Sequence, residues 1–350
     1  MIDDIQLNVP LLKRRVPNLT KEAQAAGLRA ATVSNLTTGK TPVGKAEVRT
    51  LVTLANLAGC RLDDLIIRGG GVGMIETGIK IIDLFAPIVR GGTIGFVARP
   101  GMGQLVLLSE LFHRMKERDF ATVFWMPKEE AYGISDVTAE AEIIGSNLDD
   151  IYNIVESIRN ERDVILGADR SVVLSGELFQ LKEKLQEAGA RPITIALVDT
   201  RGDGVTEDVP YGPLDALLRF DMDLATRKMY PAVSPVYSTS TFLEGAQMEA
   251  AHMTIQQRAK KLLRRYQELR SLVNAWGKEK LPDTDLILYN IGEKLEAFLT
   301  QPFFVAEEFT KKSGEYVSLN DTLDGVRRIM DGATDEIDVS DLLYIGKLKN

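Results

Sequence analysis

Apolar positions in the first 68 residues recur at steps of three and four, the spacing of a helix with one face against a core. They predict helices over 9–15, 20–26, 31–37, 45–58 and 62–66. Gly27 breaks the run after the second of these, and Gly39-Lys40-Thr41-Pro42 stops it after the third, as glycine and proline do at helix ends. Beyond Gly69-Gly70-Gly71-Val72-Gly73 the pattern changes. Short, mainly apolar segments at 93–97, 121–125, 164–166 and 193–198 read as strands and alternate with helical stretches such as 105–117 and 178–187. This alternation predicts a parallel α/β sheet. From Gly245 the chain is helical again, with Ile255, Ala259, Leu262, Tyr266, Leu269 and Val273 on one stripe. The expected fold is α + α/β: an all-helical head over 1–68, a glycine hinge over 69–73, a sheet domain over 74–244 and a helical domain over 245–350.

Composition narrows the class. With 350 residues, 45% hydrophobic and 26% charged, the chain is of ordinary globular make-up. No apolar stretch reaches the roughly 18 residues of a membrane span. The acidic start Met1-Ile2-Asp3-Asp4 is unlike a basic export signal, so a cytoplasmic protein without membrane contact is expected. One cysteine, Cys60, and two histidines, His113 and His252, make a metal centre of the common N/S type unexpected. The net charge of −8 hides an asymmetry. Ten basic against six acidic side chains leave residues 1–68 at +4 and the remainder at −12. A basic head is carried by an acidic body.

In the head, Gly27 supplies the positive φ of a tight helix-to-helix turn. The next helix exposes Thr32, Ser34, Asn35 and Thr38, short polar side chains able to reach base edges or phosphates. The string Lys21-Glu22-Ala23, Ala26-Gly27-Leu28, Thr32-Val33-Ser34-Asn35-Leu36, Gly39-Lys40 and Leu62-Asp63-Asp64-Leu65 resembles the helix-turn-helix domain of the Cro and lambda-repressor type. That resemblance implies a recognition helix over 31–37 in a major groove, with Arg29, Lys40 and Lys45 on phosphates. Base readout would rest on Asn35, because the helix carries no Arg, Lys or Gln. A docking or dimerisation role for the same fold is the alternative.

In the body, Met74-Ile75-Glu76-Thr77-Gly78-Ile79-Lys80-Ile81-Ile82-Asp83-Leu84-Phe85-Ala86-Pro87 resembles the catalytic beta subunit of rotary ATP synthases where it enters its phosphate-binding loop. The resemblance returns at Tyr230-Pro231-Ala232-Val233-Ser234-Pro235, at Arg265-Tyr266-Gln267-Glu268-Leu269 and at Phe298-Leu299-Thr300-Gln301-Pro302-Phe303. Residues 140–190 align poorly. It implies a RecA-like domain, a purine stacked on Tyr230, Phe303 and Phe309, and a neighbouring subunit in a ring.

The loop itself reads Ala98-Arg99-Pro100-Gly101-Met102-Gly103-Gln104-Leu105. A working phosphate loop uses glycine N–H groups to cradle phosphates, a lysine for the β and γ groups and a hydroxyl for magnesium. Gly101 and Gly103 remain, whereas Gln104 and Leu105 stand at the lysine and hydroxyl positions. The family's general-base glutamate falls on Lys128, or on Glu129 or Glu130 if the alignment slips, and its interfacial arginine falls on Thr241. Asp169 and Asp199 compete for the magnesium-binding acid.

The nucleotide-binding candidates are therefore Arg99, Gly101, Gly103, Gln104, Lys128, Tyr230, Phe303 and Phe309, with ATP or ADP as ligand and no metal. The reading preferred from sequence is a DNA-binding transcriptional regulator, a homo-oligomer on double-stranded DNA whose body is a degenerate, non-hydrolysing nucleotide or oligomerisation module. Two alternatives stand: an ATPase with replaced catalytic residues, and a structural ring or partner protein of a rotary-type ATPase.

Overall fold

The computed structural model describes residues 5–60, 62–68, 73–129, 131–158, 161–189, 192–207, 210–244 and 250–349. Most of the glycine hinge, the boundary at 245 and Glu130 lie outside the described residues.

The N-terminal part comprises β1 (Ile5–Leu7), α1 (Val9–Arg15), α2 (Leu19–Ala25), α3 (Ala30–Thr37), α4 (Val48–Leu57), α5 (Leu62–Leu65) and β2 (Ile66–Arg68). The α2–α3 turn holds Gly27 at φ +86°, where an L side chain would be strained. Leu12, Val33, Leu36, Leu54 and Leu65 form its core. Two expectations shift. The helix expected over 45–58 begins at Val48, after a single 3₁₀ turn at Val43–Lys45. The helix expected to end at Ile66 gives way there to β2, which pairs antiparallel with β1 from Ile5↔Arg68 to Leu7↔Ile66. Three-residue strands are too short to show alternation, and Leu62, Leu65 and Ile66 mimic helical spacing.

The body runs β3 (Met74–Ile75), α6 (Lys80–Phe85), β4 (Ile88–Val89), β5 (Thr93–Val97), α7 (Gln104–Lys116), β6 (Ala121–Trp125), α8 (Ile134–Glu140), β7 (Ile143–Gly145), α9 (Leu148–Ile158), β8 (Val164–Asp169), α10 (Ser171–Leu174), α11 (Glu177–Glu187), β9 (Thr194–Val198), β10 (Ala216–Arg219), α12 (Met222–Thr226) and β11 (Thr239–Ser240). The seven-stranded sheet has the order β11-β10-β5-β9-β8-β6-β7, parallel except for β11. Every residue of β5, β6, β8 and β9 is buried, because helices cover both faces. Ile94 and Phe96 of β5 face the core that contains α6 and α7, while Val97, Ile195 and Leu197 face α9 and α11.

The chain closes with α13 (Ala250–Trp276), α14 (Asp283–Leu299), α15 (Glu307–Thr310) and α16 (Leu319–Met330). Ala259, Leu263, Tyr266 and Leu269 on α13 meet Tyr289, Leu295 and Phe298 on α14 in the same core as α7. Gly292 permits the contact: a Cβ there would lie 2.5 Å from the Tyr266 Cβ. On the outer side of α13, Arg258 pairs with Asp331 and Arg265 with Asp285 and Glu268.

Several charges are buried where α6, α7 and the C-terminal helices meet. Arg114 Nε donates to Glu110 Oε1 (2.7 Å), and its Nη atoms donate to the carbonyls of Gly78 (2.9 Å) and Glu315 (2.9 Å). Glu110 Oε2 accepts from the Val305 N–H (3.1 Å). Lys80 donates to the carbonyls of Phe298 and Ile345, and burial holds its ammonium well below the usual range. Burial pushes the Asp83 carboxyl up to about 7, against the N–H and hydroxyl groups of Thr77 and Gly78 that donate to it.

Removing one partner of a buried ion pair leaves an uncompensated charge. Arg114→Ala is expected to cost about 3–5 kcal/mol in urea unfolding, and Arg114→Met with Glu110→Gln to recover part of that loss. Asp83 adds a pH dependence. Its folded pKa of about 7 exceeds the ordinary 3.8, so between these values the folded chain holds a proton that the unfolded chain releases. Its stabilising contribution is full below about pH 4 and declines as pH rises through 7. The thermal midpoint should fall over that window more steeply in the wild type than in Asp83→Asn.

Candidate functional site

β5 ends at Val97 in the centre of the sheet and α7 starts at Gln104, so the six residues between them form a strand–loop–helix turn at the carboxyl ends of the parallel strands. Ligands of open α/β sheets gather at this edge. Gly101 (φ +81°) and Gly103 (φ +91°) make the turn possible, and the N–H groups of the first turn of α7 have no carbonyl partner inside the helix. The loop closes on itself and on its neighbour. The Arg99 N–H donates to Met102 Sδ (3.2 Å). A Cβ on Gly202, in the loop after β9, would lie 2.5 Å from Pro100 Cδ.

The two replaced positions are visible in their surroundings. Gln104 is 4% exposed, and its side chain makes no hydrogen bond to a described residue. Leu105, 9% exposed, packs against the turn into α8, where a Cβ on Gly133 would lie 3.2 Å from Leu105 Cδ1. An apolar contact thus stands at the hydroxyl position.

Both candidate acids are occupied by hydrogen bonds, Asp199 within its own loop and Asp169 across to the neighbouring one. Asp169, at the end of β8, accepts from Ser171 N (2.8 Å), Thr200 N (3.0 Å) and Thr200 Oγ1 (2.7 Å). Burial pushes this carboxyl up, but those donors outweigh it and hold it below the ordinary value. Asp199 accepts from the N–H groups of Arg201 (3.0 Å), Gly202 (2.8 Å) and Gly204 (2.6 Å). Around them, Lys128 pairs with Glu177 at 3.3 Å and Arg201 pairs with Glu129. Arg99 is exposed and has no ion pair among the described residues.

Of the aromatic residues, Tyr230 lies at the loop: its ring is 3.6 Å from where a Gly103 Cβ would sit. Its N–H donates to Tyr344 Oη (3.1 Å) and its carbonyl accepts from Gln301 N (3.1 Å). Phe303 (6% exposed) packs in the core, and Phe309 (88% exposed) stands free on α15. The structure therefore gathers Gly101, Gly103, Gln104 and Tyr230, and sets Lys128 and Phe309 out toward solvent. The Tyr344 support, the Gly202–Pro100 packing and the Glu129–Arg201 pair carry no sequence motif. A glycine three residues after Asp199 is their single visible trace. In the N-terminal part, Arg29, Thr32, Ser34, Thr38, Lys40 and Lys45 are exposed and Asn35 is half-buried. Thr38 Oγ1 donates back to the Ser34 carbonyl (2.7 Å).

Comparison with known proteins follows this geometry. A family model described as the C-terminal domain of V and A type ATP synthase matches residues 244–338. Among solved structures, a unique ATP synthase subunit, NeqB from Nanoarcheaum equitans, is similar with a TM-score of 0.59 and 16% identity, over 74% of this chain and 76% of that one. At that identity the likeness is one of fold. These findings overturn double-stranded DNA as the expected partner: what the chain is similar to is ATP synthase material. No described helix is long and apolar enough to cross a membrane.

Gly101 and Gly202 separate backbone strain from crowding. Both have positive φ, but an added Cβ meets nothing at Gly101 and meets Pro100 at Gly202. Gly101→Ala is expected to cost about 1–2 kcal/mol from strain alone. Gly202→Ala should cost about 1–3 kcal/mol more from overpacking, read as a larger drop in the urea midpoint.

Proposed function

We propose that this chain is a non-hydrolysing relative of rotary ATP synthase subunits, a structural partner that assembles with such subunits or with its own copies and keeps its loop as a nucleotide site. The observation that carries the reading is the loop: its glycine backbone is retained while Gln104 and Leu105 occupy the positions that would bind the β and γ phosphates and magnesium. The match over residues 244–338 and the fold shared with an ATP synthase subunit support the assembly part. Lys128 and Glu129 are engaged with Glu177 and Arg201, which supports the absence of a water-polarising carboxylate. Thr241 carries no charge for a neighbour's site. In this reading the N-terminal helices are a protein-docking module.

Native mass spectrometry of the full chain, alone and mixed with the ring subunits of an A-type ATP synthase, tests the proposal. A defined complex with those subunits or a defined homo-oligomer, together with no phosphate release from Mg·ATP above blank, is the expected result. A monomer that joins neither, or phosphate release abolished by Gly103→Val, would sink it.

A further inference from the structure

The residues at the loop do not fit a magnesium-bound triphosphate. The Leu105 side chain offers no oxygen, Asp169 is held by the Ser171 N–H and by the N–H and hydroxyl of Thr200, Asp199 is held by backbone N–H groups of its own loop, and Lys128 and Arg201 face carboxylates. A triphosphate brings roughly four negative charges against a helix terminus equivalent to about half a positive charge. Arg99 is the remaining unpaired cation of the loop among the described residues.

What the loop does hold suits a smaller anion. The 13-residue α7 presents its N-terminal N–H groups behind two glycines in the left-handed region, a ready site for one phosphate group. Gln104 adds an independent sign of a ligand. Its side chain is buried to 4% exposure in the first turn of that helix, and its amide is answered by no described residue yet is not sealed from solvent. Because that amide is reachable by solvent, a ligand oxygen can take the place of a water on it. The carboxamide is neutral and can both donate and accept, so it complements one phosphate oxygen without demanding further charge. Beside it, the Tyr230 ring lies next to Gly103, its backbone held through Tyr344 and Gln301.

We infer that the loop binds a nucleoside monophosphate without metal, in preference to Mg·ATP. The phosphate sits on the α7 N–H groups with Gln104 and Arg99, and the base lies toward Tyr230. This rests on the proposed reading of the loop as a nucleotide site.

Calorimetric titration of the full chain with AMP, ADP and ATP, in EDTA and in excess magnesium, is the test. AMP should bind equally in both media and about tenfold or more tighter than Mg·ATP, a difference of about 1.4 kcal/mol. Gln104→Leu should weaken AMP about tenfold, and Gln104→Lys should shift the preference toward ATP. Should Gln104→Leu not fold by circular dichroism, the exposed Arg99→Ser variant, expected to weaken AMP, replaces it. Tighter binding of Mg·ATP, loss of AMP binding in EDTA, or AMP affinity indifferent to both variants overturns the inference. Binding of no nucleotide at all overturns it together with the nucleotide part of the proposed function. The assembly part is read separately by native mass spectrometry.

Discussion

The guanidinium of Arg114 lies in the interior at the junction of three segments that are distant in sequence, bonded to the Glu110 carboxylate and to carbonyls of residues 78 and 315. Taking such a charge out of water costs several kcal/mol unless every donor is answered, and here the answers come from α7 itself, the turn before α6 and the segment after α15. Glu110 completes the circuit through the Val305 N–H. Lys80 and Gln301 repeat the logic one layer away: Gln301 bonds the Gly78 and Glu315 carbonyls and takes the Lys80 N–H, while the Lys80 ammonium bonds carbonyls of α14 and residue 345. Apolar packing could tolerate small slips of α7 against the C-terminal helices. This set of directional bonds cannot. The helix that carries the loop is thereby fixed in register with the segment that carries the aromatic residues.

That constraint also bears on the backbone of the loop. The positive φ at Gly101 and Gly103 is required by the turn from a central strand into a helix anchored at Arg114, whatever the loop binds. Tyr230 is positioned by backbone bonds to Tyr344 and Gln301, again without reference to a ligand. A lysine and a hydroxyl in the first turn of α7 serve the ligand alone. Gln104 and Leu105 bring neither a charge nor a hydroxyl to that turn, and Leu105 packs against the turn into α8.

The same division decides what the sequence could reveal. Strands β5 and β6 are legible to the residue, because burial on both faces favours a short run of apolar residues broken only by Thr or Gly, and the expected spans of α7 and α11 lie within a residue of the observed ones. Three-residue elements such as β1 and β2 are too short to leave a periodic trace. At the site, the glycines and the missing lysine and hydroxyl could be read, since backbone conformation and chemistry depend on residue type. The separate fates of Phe303 and Phe309 could not: six residues apart in one motif, they end in the core and in solvent because the 3₁₀ turn at Phe304–Ala306 separates Phe303 from α15, which carries Phe309. Nor could the partner be read from Thr32, Ser34, Asn35 and Thr38. Short polar side chains on an exposed helix face satisfy a solvated surface, a protein contact or a phosphate equally well.

A preformed loop also bears on affinity. Ordering a flexible loop around a ligand opposes binding, but here Met102 closes on Arg99 and Pro100 is wedged against Gly202. Little conformational freedom remains to be lost when an anion arrives. With no charged side chain in the first turn of α7, rigidity and aligned N–H groups are the loop's main means of holding an anion, and both favour a compact ligand of low charge over a long, strongly charged one that relies on a lysine and a metal.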